Sequence, residues 1–421
     1  KTTGFTAVSG VGYFVNTTSG AISVNLPAGT AGDVVAIKDY ANTFDTNNVT
    51  LVVNGSDKIG GSNINGTLST EGLAVTLVFV DATKGWLVTD NGTQDTAPTA
   101  QYVTATGGTI KTSGNFKTHI FTGPATFCVS CAGNAQGSNT AEYFVLAGGG
   151  SGGAYNSTNE GLGGGGAGGF RLSAAACVPA PTMSPLAKSC GALPVTAQGY
   201  PITVGGGGAR TDVCTTNPAP GNPGSNSIFS TITSAGGGGG APSPDNNGFT
   251  GGSGGGGNRG NSTTGVGGAG NTPPVSPPQG QTGGGGTPLP AQGPPAPVPT
   301  RNGGGGGGAG AVGAEAVTAN AGTGGAGSFV ADAFIGGCAP SFGTPGPVSS
   351  TRYFAGGGGG SGGSGGQPGG GAGAGNGRQG TNGDSASANS GSGGGGGNNT
   401  LTPGGAGLGG SGIVIIRYKF Q

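Results

Sequence analysis

The sequence predicts an all-β protein, in which an N-terminal β-sandwich-like domain precedes a glycine-rich domain of packed polyglycine II helices closed by β-strands. Three observations predict this fold class. Glycine supplies 107 of the 421 residues, against a usual share of about 7%. Pure blocks of four to six glycines recur between Gly148 and Gly412 and alternate with apolar runs. Helical periodicity is almost absent, and the only alanine-rich candidate, Ala311 to Ala321, is interrupted by glycine.

Residues 1–93 predict a compact β-sandwich-like attachment module. Short runs rich in Val, Ile, Phe and Thr are separated by turn residues, a spacing typical of a sandwich or small barrel. We expect Trp86, the only Trp, to anchor the core or its rim. Asp33, Asp39 and Asp45 lack the spacing of a calcium loop, so we interpret them as solvated turn carboxylates. The predicted strands are Val11 to Val15, Ala21 to Leu26, Asp33 to Lys38, Val49 to Val53, Leu73 to Val80 and Gly85 to Val88.

Residues 94–100 have linker composition, and residues 101–147 predict a second β segment that leads into the glycine-rich domain. His119, the sole His, lies between Thr118 and Ile120 in a strand pattern, which favours a structural or exposed role over catalysis. The glycine-rich domain, residues 148–421, ends in an apolar strand at 412–420, which we expect to pair with the strand at 142–147. The other strands predicted in this segment are Gln101 to Ala105, Asn115 to Thr122 and Ala125 to Val129.

The glycine runs allow three interpretations. A flexible linker fits poorly, because core-like apolar runs lead into the glycine blocks at regular intervals. Collagen requires glycine at every third position, and blocks of consecutive glycines break that register. Extended polyglycine helices lack internal hydrogen bonds, so their backbone groups must find lateral partners. Without side chains, neighbouring backbones approach closely enough to provide them, and this interpretation is the one we adopt.

Composition disfavours several classes of partner and site. Charged residues are 7% of the chain and the net charge is zero, so a phosphate-tracking surface and a nucleic-acid partner are not expected. No apolar run approaches the ~20 residues of a membrane span, so no membrane insertion is expected. Of the six Cys, only Cys128 and Cys131 form a close pair, whereas a four-Cys zinc site needs two. Isolated thiols, a Cys128–Cys131 disulfide and a Cys177–Cys190 disulfide all remain open, and no metal or cofactor is predicted.

The sequence shows no nucleophile–base constellation, no HExxH motif and no P-loop, so we expect no catalytic residue and no enzyme. A rigid scaffold that displays polar loops remains, and binding contacts concentrate on such loops. Aromatic residues and arginines on small polar loops are the usual anchors of recognition. The candidate receptor-binding residues are Tyr155, Phe249, Arg259, Arg301 and Phe342. For each, packing against the bundle or capping of carbonyls is the alternative.

Several stretches resemble virion proteins of marine tailed bacteriophages. Four N-terminal stretches resemble β modules of cyanophage fibres: Val11 to Val15, Ala21 to Pro27, Gly32 to Tyr40 and Leu73 to Trp86. Glu142 to Phe170 and Gly412 to Tyr418 resemble the glycine-rich domain of such phage structural proteins, and the recurrent runs resemble glycine-rich tail-fibre adhesins. The resemblance implies a sandwich of polyglycine II helices whose tip loops bind the host surface. The chain departs from the pattern of these adhesins in its many Pro-rich loops and its six Cys. These departures leave the number and order of the polyglycine helices open.

The resemblance implies a phage tail-fibre or appendage protein that adheres to the host cell surface. Its expected partners are a host cell-surface protein or glycan and other virion proteins, its expected location is the virion, and a homotrimer is expected. A capsid fibre or decoration protein without a receptor role is the alternative, and a bacterial surface filament protein is a weaker one.

Overall fold

The computed structural model describes residues 1–90, 100–155, 160–173, 183–188, 190–210, 219–242, 247–259, 264–287, 301–398 and 405–421. Two compact units emerge: residues 1–102 with 133–138, and residues 103–132 with 139–421. Among the described residues, strands account for 34% and helices for 3%, which confirms the all-β fold class.

The first unit consists of two four-stranded sheets, β1-β3-β5-β6 and β2-β4-β7-β8. Early strands alternate between the two sheets, so β1, β3 and β5 run parallel, as do β2 and β4. The later pairs of each sheet are antiparallel. The strands are β1 (Phe5–Thr6), β2 (Val11–Val15), β3 (Ile22–Asn25), β4 (Val34–Asp39), β5 (Val49–Val52), β6 (Gly66–Leu68), β7 (Ala74–Asp81) and β8 (Gly85–Asp90).

Alternate residues of both sheets fill one apolar core. Trp86 is fully buried there and meets Phe79 edge-on, with ring centroids 5.5 Å apart, which confirms the predicted core position. Asp39 is buried and accepts backbone hydrogen bonds from Ala41, Phe44 and Gly72. Its carboxylate therefore holds two loops together. The prediction of a solvated carboxylate is wrong for Asp39, because backbone N–H groups take the place of water around it.

The second unit contains the remaining elements. Its strands are β9 (Val103–Thr106), β10 (Thr109–Ser113), β11 (Phe116–Phe121), β12 (Ala125–Ala132), β13 (Thr140–Leu146), β14 (Ala154–Tyr155), β15 (Phe170–Ser173), β16 (Ala187–Lys188), β17 (Leu193–Pro194), β18 (Gly199–Thr203), β19 (Ser227–Phe229), β20 (Ile232–Ser234), β21 (Ser328–Ala331), β22 (Thr344–Pro345), β23 (Thr351–Phe354), β24 (Arg378–Gln379), β25 (Gly397–Asn398) and β26 (Ile413–Lys419). The helical elements whose bounds lie within the described residues are α1 (Asp332–Ile335) and a 3-10 turn, Gly336–Ser341.

The central sheet of this unit has the order β10-β11-β26-β13-β15-β16. β26 lies antiparallel between β11 and β13, so the predicted pairing of the C-terminal strand with the 142–147 strand is confirmed. One face, including Phe144 and Ile415, packs with α1, β21 and β23. The other face, including Val145 and Val414, packs on the sheet β20-β19-β18-β12-β9. Burial on both faces explains why residues 413–416 of β26 are continuously apolar instead of alternating.

The glycine runs form extended helices that hydrogen-bond laterally. We designate residues 161–169 the central helix. Its N–H groups donate in rotation: Gly163 and Gly166 to segment 236–242, Gly164 and Ala167 to 301–309, and Gly165 and Gly168 to 391–398. Its carbonyls accept in the same rotation from segments 147–154, 253–259 and 355–361. Because residues i and i+3 contact the same neighbour, the helix has three residues per turn, as the polyglycine II form requires.

The close packing of these helices requires glycine. A Cβ added at Gly163, Gly164 or Gly165 would lie 1.9, 2.1 or 2.2 Å from a carbonyl oxygen of a neighbouring segment. Such contacts are with backbone, which cannot rotate away as a side chain can. The alanine-rich stretch 311–321 joins the same packing: Ala314 and Ala316 bond laterally and Val317 pairs with Asn320 in a turn. This stretch is therefore extended, and its candidate helix is absent.

The described cysteines correct one of the open alternatives. Cys128 and Cys131 on β12 are free thiols, so the Cys128–Cys131 disulfide is wrong. Cys190 is disulfide-bonded. Cys177, the partner considered for it, lies outside the described residues.

Candidate binding site at the loop end of the bundle

The polyglycine bundle has two chemically different ends. At one, which we call the sheet end, the helices continue into the central sheet: Gly412 leads into β26, Gly169 into β15, and Ala147 follows β13. The opposite end, which we call the loop end, is formed by the described residues 154–155, 160–162, 241–242, 258–259, 264–265, 286–287, 301–302, 361–363 and 397–398. Hydrogen bonds tie these residues together, for example Thr287 N–H to Asn302 O at 3.0 Å and Leu162 N–H to Ser361 O at 2.9 Å.

Three of the five predicted site residues lie at the loop end. Tyr155 is half-buried in β14 and pairs with Asn398, and Arg259 and Arg301 lie beside the ends of neighbouring runs. Phe249 is exposed on the flank, where its N–H donates to Gly239 O at 3.0 Å. Phe342 packs against the core at the sheet end. The structure therefore brings Tyr155, Arg259 and Arg301 to one end and leaves the other two elsewhere.

Arg301 has a charged partner at the loop end. Its Nη1 donates to the Glu160 carboxylate, and both side chains are largely buried, at 24% and 14% exposed. The pair connects two helix ends that are far apart along the chain. Because both groups are partly withdrawn from water, the Glu160 charge is compensated locally and is not available to a second cation in full.

Arg259 contrasts with Arg301. Its side chain is only 6% exposed, yet its Nε and Nη1 have no hydrogen-bond partner among the residues that the structure describes. Burial, and next the charge of Arg301, lower the pKa of the Arg259 guanidinium. The group remains a cation at neutral pH, because an arginine pKa lies far above it. The loop end thus holds a buried positive charge without a described counter-charge.

Asparagines, which were not among the predicted site residues, satisfy backbone groups at the same end. Buried Asn302 donates through Nδ2 to the carbonyls of Val317 and Thr318, at 2.9 and 3.2 Å, and accepts from Ser364 N–H at 3.2 Å. Buried Asn398 accepts from Gly380 N–H at 2.7 Å. A sequence signal exists: Asn258, Asn302 and Asn398 each directly adjoin a pure glycine block. Where lateral backbone partners end, a short amide side chain satisfies the remaining groups.

Glu160 was also missed as a site residue. A lone carboxylate in a polar loop gives no sequence signal of its partner, because the partner lies on a helix many residues away. The tertiary arrangement alone brings Glu160 to Arg301.

The chain belongs to the glycine-rich domain family, whose model matches residues 126–419. No curated protein matches the chain. Within the part of the chain that the structure describes, no helix has the length and apolarity needed to cross a membrane.

Proposed function

We propose that this member of the glycine-rich domain family is a bacteriophage tail-fibre or appendage protein that adheres to the host cell surface through its loop end. The observation that carries the proposal is a structural difference between the two ends of the bundle. The sheet end is occupied by apolar cores, whereas the chain leaves and re-enters the described bundle repeatedly at the loop end. Loops held by a rigid scaffold are where binding residues concentrate.

The residues that flank six connections of the chain support a role in which these connections act together at the loop end. They are 155–160, 210–219, 242–247, 259–264, 287–301 and 398–405, and their described ends belong to helices that bond to one another. Length and sequence can vary in such connections without disturbing the backbone packing below them. An adhesin of this construction recognises a host protein or glycan non-covalently, and several copies on one virion multiply a weak affinity. Assembly as a homotrimer, which light scattering measures, provides that multiplicity.

Binding of the full-length protein to bacterial cells tests the proposal. Fluorescently labelled protein is titrated onto a panel of strains that includes marine cyanobacteria, and binding is read by flow cytometry. In the test variant, residues 288–300 are replaced by a Gly-Ser segment of equal length. In the matched control, the sheet-end residues 346–350 are replaced in the same way.

Saturable binding that is lost in the 288–300 variant and kept in the control is the expected result. Saturable binding that survives replacement of each loop-end connection contradicts adhesion through this end. Absence of binding across the panel favours a capsid fibre or decoration protein. Quantitative mass spectrometry of purified virions separates these two, because a protein along the capsid is present in many copies and a tail fibre in few.

A further inference from the structure

We propose that the loop end binds an acidic peptide segment, with one Asp or Glu carboxylate of the partner seated against the guanidinium of Arg259. This inference rests on the proposed function and specifies the chemistry of the partner: a protein with an acidic surface loop. The motivating observation is that Arg259 is deeply buried and that two of its guanidinium nitrogens have no hydrogen-bond partner among the described residues. A buried charge without a partner is among the most unfavourable arrangements in a folded protein.

The combined charge of Arg259, Arg301 and Glu160 indicates which type of anion fits the loop end. Among the described residues, Arg259 and Arg301 contribute two positive charges and Glu160 one negative charge, which leaves one positive charge without a described counter-charge. A monoanion balances it, whereas a dianion such as phosphate would add a surplus negative charge beside Glu160. Guanidinium groups also match carboxylates geometrically through parallel N–H···O bonds. A single carboxylate therefore fits both the charge and the donor set.

The burial of Arg259 indicates which kind of molecule can bring a carboxylate to its guanidinium. With 6% of the residue exposed, only a slender group can reach the guanidinium. The side chain of Asp or Glu places its carboxylate at the end of a flexible stem. In an acidic sugar the carboxylate is attached directly to a ring, which needs a wider approach. A peptide side chain is consequently favoured over a uronate.

Further polar atoms at or near the bundle backbone lack partners in the same way. Asn258, the residue before Arg259, donates its Nδ2 to the Pro242 carbonyl, but its buried Oδ1 has no partner among the described residues. The buried Ser361 Oγ is likewise unpaired within the described part, and Ser361 contacts the run that begins after Asn302. The backbone amide and side-chain hydroxyl groups of an incoming peptide are able to complement such atoms.

Arginine side-chain NMR of the full-length protein tests the inference directly. The chain has seven arginines, so a spectrum of ¹⁵N-labelled Nε–H groups is simple to assign by substitution. The probes are the blocked peptides acetyl-Ala-Glu-Ala-amide and acetyl-Ala-Gln-Ala-amide, sodium glucuronate and inorganic phosphate. Arg259→Lys keeps the charge and removes the planar guanidinium. Arg378→Lys is the matched control, because Arg378 already pairs with Asp384 at 2.6 Å.

We expect the Glu peptide to shift the Arg259 signal saturably, and the Gln peptide to leave it unchanged. The Arg259→Lys variant is expected to bind the Glu peptide about tenfold more weakly or worse, since the parallel hydrogen bonds of a planar guanidinium to a carboxylate are lost, whereas Arg378→Lys binds it as the wild type does. Thermal melting checks that each variant is folded, and the wild-type spectrum is informative even if Arg259→Lys is not.

Four results overturn the inference. They are an unshifted Arg259 signal at saturating Glu peptide, equal binding by Arg259→Lys, glucuronate binding at least as tight as that of the peptide, and tighter binding of phosphate. A fifth concerns Asp245, which lies outside the described residues: if Asp245→Asn alone moves the Arg259 signal and the peptide does not, the counter-charge is internal. Host-cell binding that is unchanged in Arg259→Lys leaves adhesion standing and refutes only its acidic-peptide chemistry. Peptide binding by Arg259 without binding of the protein to host cells supports the acidic-peptide chemistry and contradicts adhesion.

Discussion

The imidazole of His119 is fully buried where β11 meets β26, between Phe127 and Tyr418. Nδ1 lies 2.7 Å from the Gly107 carbonyl, which can only accept, so Nδ1 carries the proton. Nε2 is then free to accept from the Tyr418 hydroxyl at 3.1 Å. Burial, and then the charge of Lys117, lower the pKa of His119, against an opposing contribution from the Gly107 bond. The folded protein therefore holds a neutral histidine, in the structural role that its strand pattern predicted.

This burial predicts a pH dependence of stability. The folded-state pKa lies below the ordinary value of 6.5, so the unfolded chain binds more protons as the pH falls. The stability contribution is complete above pH 6.5 and is lost as the pH decreases through and below that value. Thermal unfolding between pH 7.5 and 5 should show a falling melting temperature, and His119→Asn should flatten the dependence. A wild-type melting temperature that is constant over this range would contradict the assignment, since the chain has no second His.

At the scale of the element, the central helix derives its order from its six neighbours. A polyglycine helix has no internal hydrogen bonds, and each ordered backbone residue costs about 1–2 kcal/mol of conformational entropy. Lateral bonds worth about 1 kcal/mol each offset that cost only when nearly every group is paired. The rotation of partners around 161–169 provides this pairing.

Two glycine substitutions distinguish the effect of close helix packing on stability from the effect of backbone freedom in the unfolded chain. In Gly164→Ala the new Cβ would lie 2.1 Å from the Gly358 carbonyl oxygen, and we expect a loss of about 1–3 kcal/mol, as for an overpacked core. In Gly206→Ala the Cβ meets nothing within 4 Å, and reduced freedom of the unfolded chain should stabilise by about 0.4–1 kcal/mol. Denaturant unfolding measures both. Similar losses at the two sites would show that lateral backbone contact is not what requires glycine.

At the scale of the second unit, one strand from the end of the chain completes a sheet begun far upstream. Arg417 of β26 lies opposite Glu142 of β13, 275 residues away, and its Nε donates to the Glu142 carboxylate. The two side chains are 11% and 4% exposed. The guanidinium also donates to the Ala333 carbonyl at 2.9 Å and lies 4.3 Å from the centroid of the Phe116 ring. The pair thus joins β13, β26, β11 and α1.

Breaking this pair should destabilise the whole unit. Glu142→Leu leaves a buried, uncompensated guanidinium, and a loss of about 3–5 kcal/mol is expected. The double variant Glu142→Leu with Arg417→Met removes both charges and should recover most of that loss. Asp384→Asn, at an ion pair exposed by 50% and 37%, is the control and should change stability by about 0–1 kcal/mol. Chemical denaturation measures all four proteins, and a double variant as unstable as the single would refute the interpretation.

Much of the fold was predictable because its signals are local. The observed β2 coincides with the predicted Val11 to Val15, and β26 lies within the predicted 412–420. The parallel alternation of β1 to β5 between two sheets was not predictable, because turn residues indicate where strands end and not which strand becomes the neighbour. For the candidate site, the sequence identified Tyr155, Arg259 and Arg301 by residue type. It grouped them with Phe342, which the structure places at the opposite end of the bundle.

The sequence by itself determined the all-β class, the polyglycine II form of the runs and the buried character of the last strand. These properties follow from composition and short-range pattern: glycine blocks permit only backbone-to-backbone packing, and a β-branched apolar run requires burial. Only the tertiary structure decided which helix is central, which thiols are free, and which arginine has a carboxylate partner. Glycine carries no side chain that could encode a choice of neighbour, so the order of the helices depends on how the sheet end and the loops close the bundle around them.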